Sequence, residues 1–141
     1  MTNGAVLNLT AMGICTSNVL TNCVSYNDIG NGTLMNPVKS ARISSKKGAS
    51  IRYGRIEIEA KMPAGKWLWP AIWMLPVQDT YGPWPASGEI DIVESRGNDR
   101  KFPQGGNDIA TSTLHWGPDP ANDGWWRTNV KRRVFVEFHR K

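Results

Sequence analysis

Much of what this chain could have been is excluded by what it lacks. No apolar run in its 141 residues approaches the roughly 20 that a membrane-spanning helix needs. It has only two cysteines, too few for a four-ligand zinc site, and Cys15 and Cys23 are not spaced as a Cys-x-x-Cys redox pair. No stretch shows the 3.6-residue periodicity of an amphipathic helix, and there is no internal repeat or low-complexity segment. The opening "MTNGAVLNLTAMG" has neither a basic segment nor an apolar core, so no signal peptide is expected in the chain as written. The excess of positive charge, +5, gathers in "SARISSKKGASIR" and "KRRVFVEFHRK". No recognised nucleic-acid module accompanies it, so it reads as solvated strand faces and a loose tail.

What is present points to short strands. The length suits one domain, and 40% hydrophobic and 21% charged residues suit a globular core. Seven Trp, 14 Gly and nine Pro favour turns and flat aromatic surfaces. "AVLNLTA" alternates near the start. "YGRIEIEAKM" alternates most clearly, with Ile56, Ile58, Ala60 and Met62 on one face and charged residues on the other. "WLWPAIWMLP" reads as a buried strand that Pro70 demotes to an edge or bulge. "EIDIVES" and "IATSTLHWG" are further strands, with "MNP", "VQDTYGPWPASG" and "RGNDRKFPQGGND" as turns and loops. This pattern argues an all-β sandwich or jelly roll. The cysteines stand either as two buried thiols or as a disulfide closing a small loop. The triplets Asn8-Leu9-Thr10 and Asn31-Gly32-Thr33 flank them, and together these features fit an oxidising, secretory setting.

The chemistry concentrates in "GEIDIVES". Glu89 and Asp91 are two apart and share a strand face, but Glu94 is five from Glu89 and on a regular strand points the other way. Without further help this is an acidic face in water with a stray glutamate. A β-bulge at Ile92–Val93 would bring Glu94 back beside the other two, and bulges concentrate at active sites. Two such glutamates could approach the roughly 5–5.5 Å at which a nucleophile and a proton donor cleave a glycosidic bond with retention. Like charge and partial burial would then hold Glu94 protonated while Glu89 stays ionised. Trp69 and Trp73, four apart, share a face if Pro70 leaves the register intact; each is a candidate for the cleft or for the core.

"WLWPAIWMLP" followed by "WPASGEIDIVESRGN" and "STLHWGP" resembles the core signature of glycoside hydrolase family 16, in its laminarinase-like branch. "NPVKSARISSKKGASIRYGRIEIEAKMP" is similar as well. The resemblance runs from about residue 5 to about residue 133, leaving 134–141 as a divergent tail. It implies a concanavalin A-like jelly-roll β-sandwich, probed here by a chain shorter than the family's catalytic domains and so expected to be incomplete. It also implies retaining hydrolysis of β-1,3-glucan or mixed β-1,3/1,4-glucan, with Glu89 as nucleophile, Glu94 as acid/base and Asp91 as assistant. Trp84 resembles a sugar platform, and His115 matches a histidine that could orient Glu94 or bind a hydroxyl. Trp116, Trp125 and Trp126 are either outer subsites or packing. The resemblance implies no cofactor and no metal, a β-glucan polysaccharide as partner, a monomer and an extracellular location. Non-catalytic glucan recognition and wall-glucan transglycosylation are the competing functions.

Overall fold

A computed structural model describes residues 4–15, 17, 19–35 and 40–134. The expected tail beyond Val134 lies outside the described residues, as does most of the "MNP" turn. The chain forms two compact units, Met1–Ser44 and Ser45–Lys141, each taken by itself.

In the first unit, β1 (Val6–Asn8) pairs antiparallel with β2 (Val24–Tyr26), Leu7 opposite Ser25. Between them a Cys15–Cys23 disulfide closes a loop of eight-residue separation, with Cα atoms 5.6 Å apart. Cys23 is 4% exposed, the one buried apolar side chain among this unit's described residues. Asn27 is also buried, and its Oδ1 accepts the Met35 amide at 2.7 Å. With so little apolar burial, the covalent link carries much of this unit's order. Closing a loop of this length stabilises by about 2 kcal/mol. Cys15→Ser is therefore expected to speed hydrogen exchange at the Leu9 and Asn27 amides, which bond Cys23 O and Ala5 O, by roughly 30-fold. Unchanged exchange would show that the backbone bonds alone hold the loop.

The second unit is a four-stranded antiparallel meander, β3 (Ala71–Met74), β4 (Glu89–Ser95), β5 (Ile109–His115) and β6 (Val130–Arg133), in that order across the sheet. β4 and β5 fall where apolar alternation placed them. β3 begins directly after Pro70, whose missing N–H suits the edge of a sheet. One turn of helix, α1 (Trp125–Thr128), leads into β6. The class is as expected: all-β, of jelly-roll type, with antiparallel sheets and only short helical turns.

Two expectations need correcting. "AVLNLTA" contributes only three residues to a strand. Residues 53–62, the clearest alternation in the sequence, make no strand ladder among the described residues. Alternation reports which side of an extended chain is apolar, not whether a hydrogen-bonding partner lies alongside. The apolar side itself is real: Ile56, Ile58, Ala60 and Met62 meet Ile72, Ile92 and Val93 around a hollow of about 360 Å³ on the back of the sheet.

Candidate active site

The ladder resolves the odd offset of Glu94. β4 pairs with β5 as Glu89↔His115 and Asp91↔Thr113, then skips to Glu94↔Thr111. Three steps along β4 are matched by two along β5, so β4 carries one extra residue at Ile92–Val93. Thr111, Thr113 and His115 alternate on one face of β5, and side chains directly opposite share a face. Glu89, Asp91 and Glu94 consequently all stand on the front of the sheet. Ile92 and Val93 both turn to the apolar back. The ladder is broken at the bulge, and the Ser112 hydroxyl donates to the Ile92 carbonyl at 2.7 Å, so that group is not left unpaired.

Each glutamate has a tryptophan. Trp84, in the loop before β4 and joined to a buried Pro85 by a cis peptide bond, donates its Nε1–H to Glu89 Oε2 at 2.9 Å. Its ring lies 5.4 Å from the His115 ring. Trp69, immediately before Pro70, hydrogen-bonds Glu94. The Arg96 guanidinium sits 6.0 Å over the Trp69 ring. Trp73 is opposite Asp91 in the ladder, so it too takes the front face. Glu94, Trp69, Thr111, Thr113, His115 and Trp125 line an open hollow of about 370 Å³ there. Trp84 thus holds an acid as well as offering a ring, a role that spacing alone does not reveal.

The expectation for His115 is that it orients Glu94 or binds a hydroxyl, and it lines the same hollow as Glu94. It stands opposite Glu89, with Nε2 3.1 Å from Asp91 Oδ2 and Nδ1 2.5 Å from Asp123 Oδ2. The first of these is an ion-pair approach rather than an aligned hydrogen bond. Asp123 is a site residue that sequence reasoning missed. Its side chain is 6% exposed, and its Oδ1 accepts the Trp116 and Trp125 amides at 3.2 and 3.1 Å. The loop that delivers it turns on Gly117, at φ +144°, and closes through a Gly124 N–H bond to Trp116 O at 2.7 Å. A side chain on Gly124 would lie 2.4 Å from the Trp116 ring, so only glycine lets the loop fold this tightly.

The electrostatics follow from this crowding. Glu89 is raised above the ordinary glutamate value, by burial first and then by the Asp91 charge; the Trp84 bond and His115 pull it partly back. Glu94 is raised too, again by burial first and then by Asp91, against the opposing pull of Trp69, His115 and Arg96. Both acids are thus shifted upward, for the same two leading reasons. Burial pushes His115 down, but Asp123, Asp91 and Glu89 outweigh it, and its net shift is upward. Asp123 is raised by burial and lowered by more through His115 and the two amides, so it ends below the usual range.

Glu89, Asp91 and His115 bring one side-chain atom each within 4.8 Å of one another, a closeness that the His115–Asp91 ion pair accounts for. Trp116, Trp125 and Trp126 are 44%, 46% and 63% exposed, so they are not core residues.

The catalytic GH16 domain described as XgeA-like matches residues 6–115. A beta-1,3-glucan-binding protein of Penaeus monodon is 48% identical over 125 residues, 89% of this chain and 32% of that protein. A glucan endo-1,3-beta-glucosidase of Cryptopygus antarcticus is 46% identical over 96 residues, 66% of this chain and 32% of its own length. Glucan endo-1,3-beta-glucosidase A1 of Niallia circulans is 41% identical over 90 residues, 64% of this chain and 11% of its own. The chain spans about a third or less of the length of each.

Proposed function

The chain belongs to glycoside hydrolase family 16, and from that premise we propose that it carries the working centre of a retaining endo-β-1,3-glucan hydrolase. The observation that supports this reading most is the bulge, which puts Glu89, Asp91 and Glu94 on one face beside an open, tryptophan-lined hollow. In the proposed reaction, protonated Glu94 gives its proton to the glycosidic oxygen as that bond breaks, and ionised Glu89 bonds the anomeric carbon. Water then attacks the same carbon, losing its proton to Glu94 and releasing Glu89. Trp84 steers Glu89 Oε2, and the exposed ring of Trp69 offers a face on which a sugar can stack. The substrate is proposed as β-1,3-glucan, or mixed β-1,3/1,4-glucan, from the glucanase and glucan-binding relatives. The disulfide supports an extracellular setting, in which the exposed Asn31 could carry a glycan. A monomeric state is part of the same proposal.

Recognition without cleavage is a second reading, favoured by the 48% identity to the Penaeus monodon binding protein. Laminarin separates the two. A hydrolase is expected to release new reducing ends that accumulate linearly with time, β-anomers first by proton NMR. Binding to laminarin with no reducing ends would establish recognition instead. The chain's use of sugars rather than water as acceptor would appear as longer glucans among the products.

A further inference from the structure

We propose that Asp123 is a positioning residue whose carboxylate keeps the His115 imidazole doubly protonated, and thereby holds Asp91 fixed between the two glutamates. An ionised carboxylate only accepts hydrogen bonds. Both ring nitrogens of His115 face a carboxylate oxygen, Asp123 Oδ2 at 2.5 Å and Asp91 Oδ2 at 3.1 Å. A neutral ring would bring a lone pair close to one of them, whichever tautomer it took. Only the imidazolium meets Asp123 with a hydrogen bond and Asp91 with a favourable charge contact.

Asp123 cannot easily turn away. Its other oxygen is held by the Trp116 and Trp125 amides, and the glycine-built loop fixes its backbone. Asp91 is 4% exposed, and its Oδ2 has no hydrogen-bond partner among the described residues beyond this ion-pair approach. If His115 lost its charge, the buried Asp91 carboxylate would lose its charged partner, at a cost that favours rotation of Asp91. Such a rotation disturbs Glu89 and Glu94, on both of which the Asp91 charge acts. The charged groups that act on His115 are Glu89, Asp91 and Glu94 from β4 and Asp123 from the loop before α1, all acidic.

Asp123→Asn is the direct test. Asparagine keeps an oxygen for the two amides but presents an N–H₂ to His115 Nδ1, which must then accept. His115 should become neutral, with its proton on Nε2, at lower pH. Imidazole nitrogen NMR on the full chain is expected to show the His115 midpoint falling by about one pH unit or more from its wild-type position. The kinetic arm rests on the hydrolase reading. There the alkaline limb of kcat on laminarin should move to lower pH by a similar amount, with KM within about twofold. The charged ring is present below its pKa, so lowering that pKa withdraws it earlier as pH rises. A loss of kcat equal at every pH, with the limb in place, would mark Asp123 as merely structural and overturn the proposal.

The spectroscopic arm stands if the chain does not hydrolyse laminarin, so failure of the two ideas can be told apart. If the variant does not fold, the wild-type spectrum decides. Protons on both His115 nitrogens at pH 6.5 to 7 support the proposal, and a neutral ring there overturns it.

Discussion

Glu89→Ala is expected to lower laminarin hydrolysis by on the order of 10⁵-fold, the loss typical of an enzyme deprived of its nucleophile. Glu94→Ala should cost about 10²–10⁴-fold, the usual contribution of a proton donor. Rate alone does not assign the roles; the way each variant is rescued does. With azide and an activated aryl glucan, the Glu94 variant still forms its glycosyl ester and azide displaces it, giving the β-glycosyl azide. The Glu89 variant leaves room for azide to attack directly, giving the α-azide. Swapped products would reverse the two assignments. Loss of folding should not confuse the result. Both acids bind their protons more tightly in the folded chain, so at neutral pH their ionised forms oppose folding, and neutral replacements relieve this.

The second large effect concerns one residue of chain length. Inserting alanine between Val93 and Glu94 adds another step to β4, and with a period of two this sends Glu94 to the apolar back beside Ile72. Hydrolysis should then fall as far as in Glu94→Ala, about 10²–10⁴-fold, and stability should fall as well, because a carboxylate enters an apolar hollow. Deleting Ile92 is the informative contrast. It leaves Glu-x-Asp-x-Glu on an unbroken strand, with all three acids still in front, at the cost of one half-buried isoleucine. Measurable laminarin hydrolysis is expected to survive. An insertion that stays active, or a deletion as dead as the insertion, would show that the bulge does not govern where Glu94 points.

That bulge was legible because the sequence contains a contradiction: a strand-like run whose last acid faces the wrong way. The strand limits of β4 and β5 were legible for a related reason, since apolar and polar residues alternate there against real ladder partners. The same signal misled at residues 53–62, where one side is apolar but no strand pairs. β6 went unread because "VKRR" has three charges in four positions, all exposed on a sheet edge, where burial imposes no pattern. Asp123 left no signal at all. Its importance comes from a histidine eight residues earlier and from two backbone amides, and a hydrogen bond across a glycine-tightened loop writes no periodicity into the chain.

The contact between the Trp84 indole and the His115 ring has an optical consequence. A protonated imidazole at 5.4 Å draws electron density from an excited indole and dims its emission. Tryptophan fluorescence should therefore brighten as His115 loses its charge, and a sugar wedged between the rings would alter the signal again. The molecule carries a built-in light gauge at the spot where its chemistry is proposed to occur.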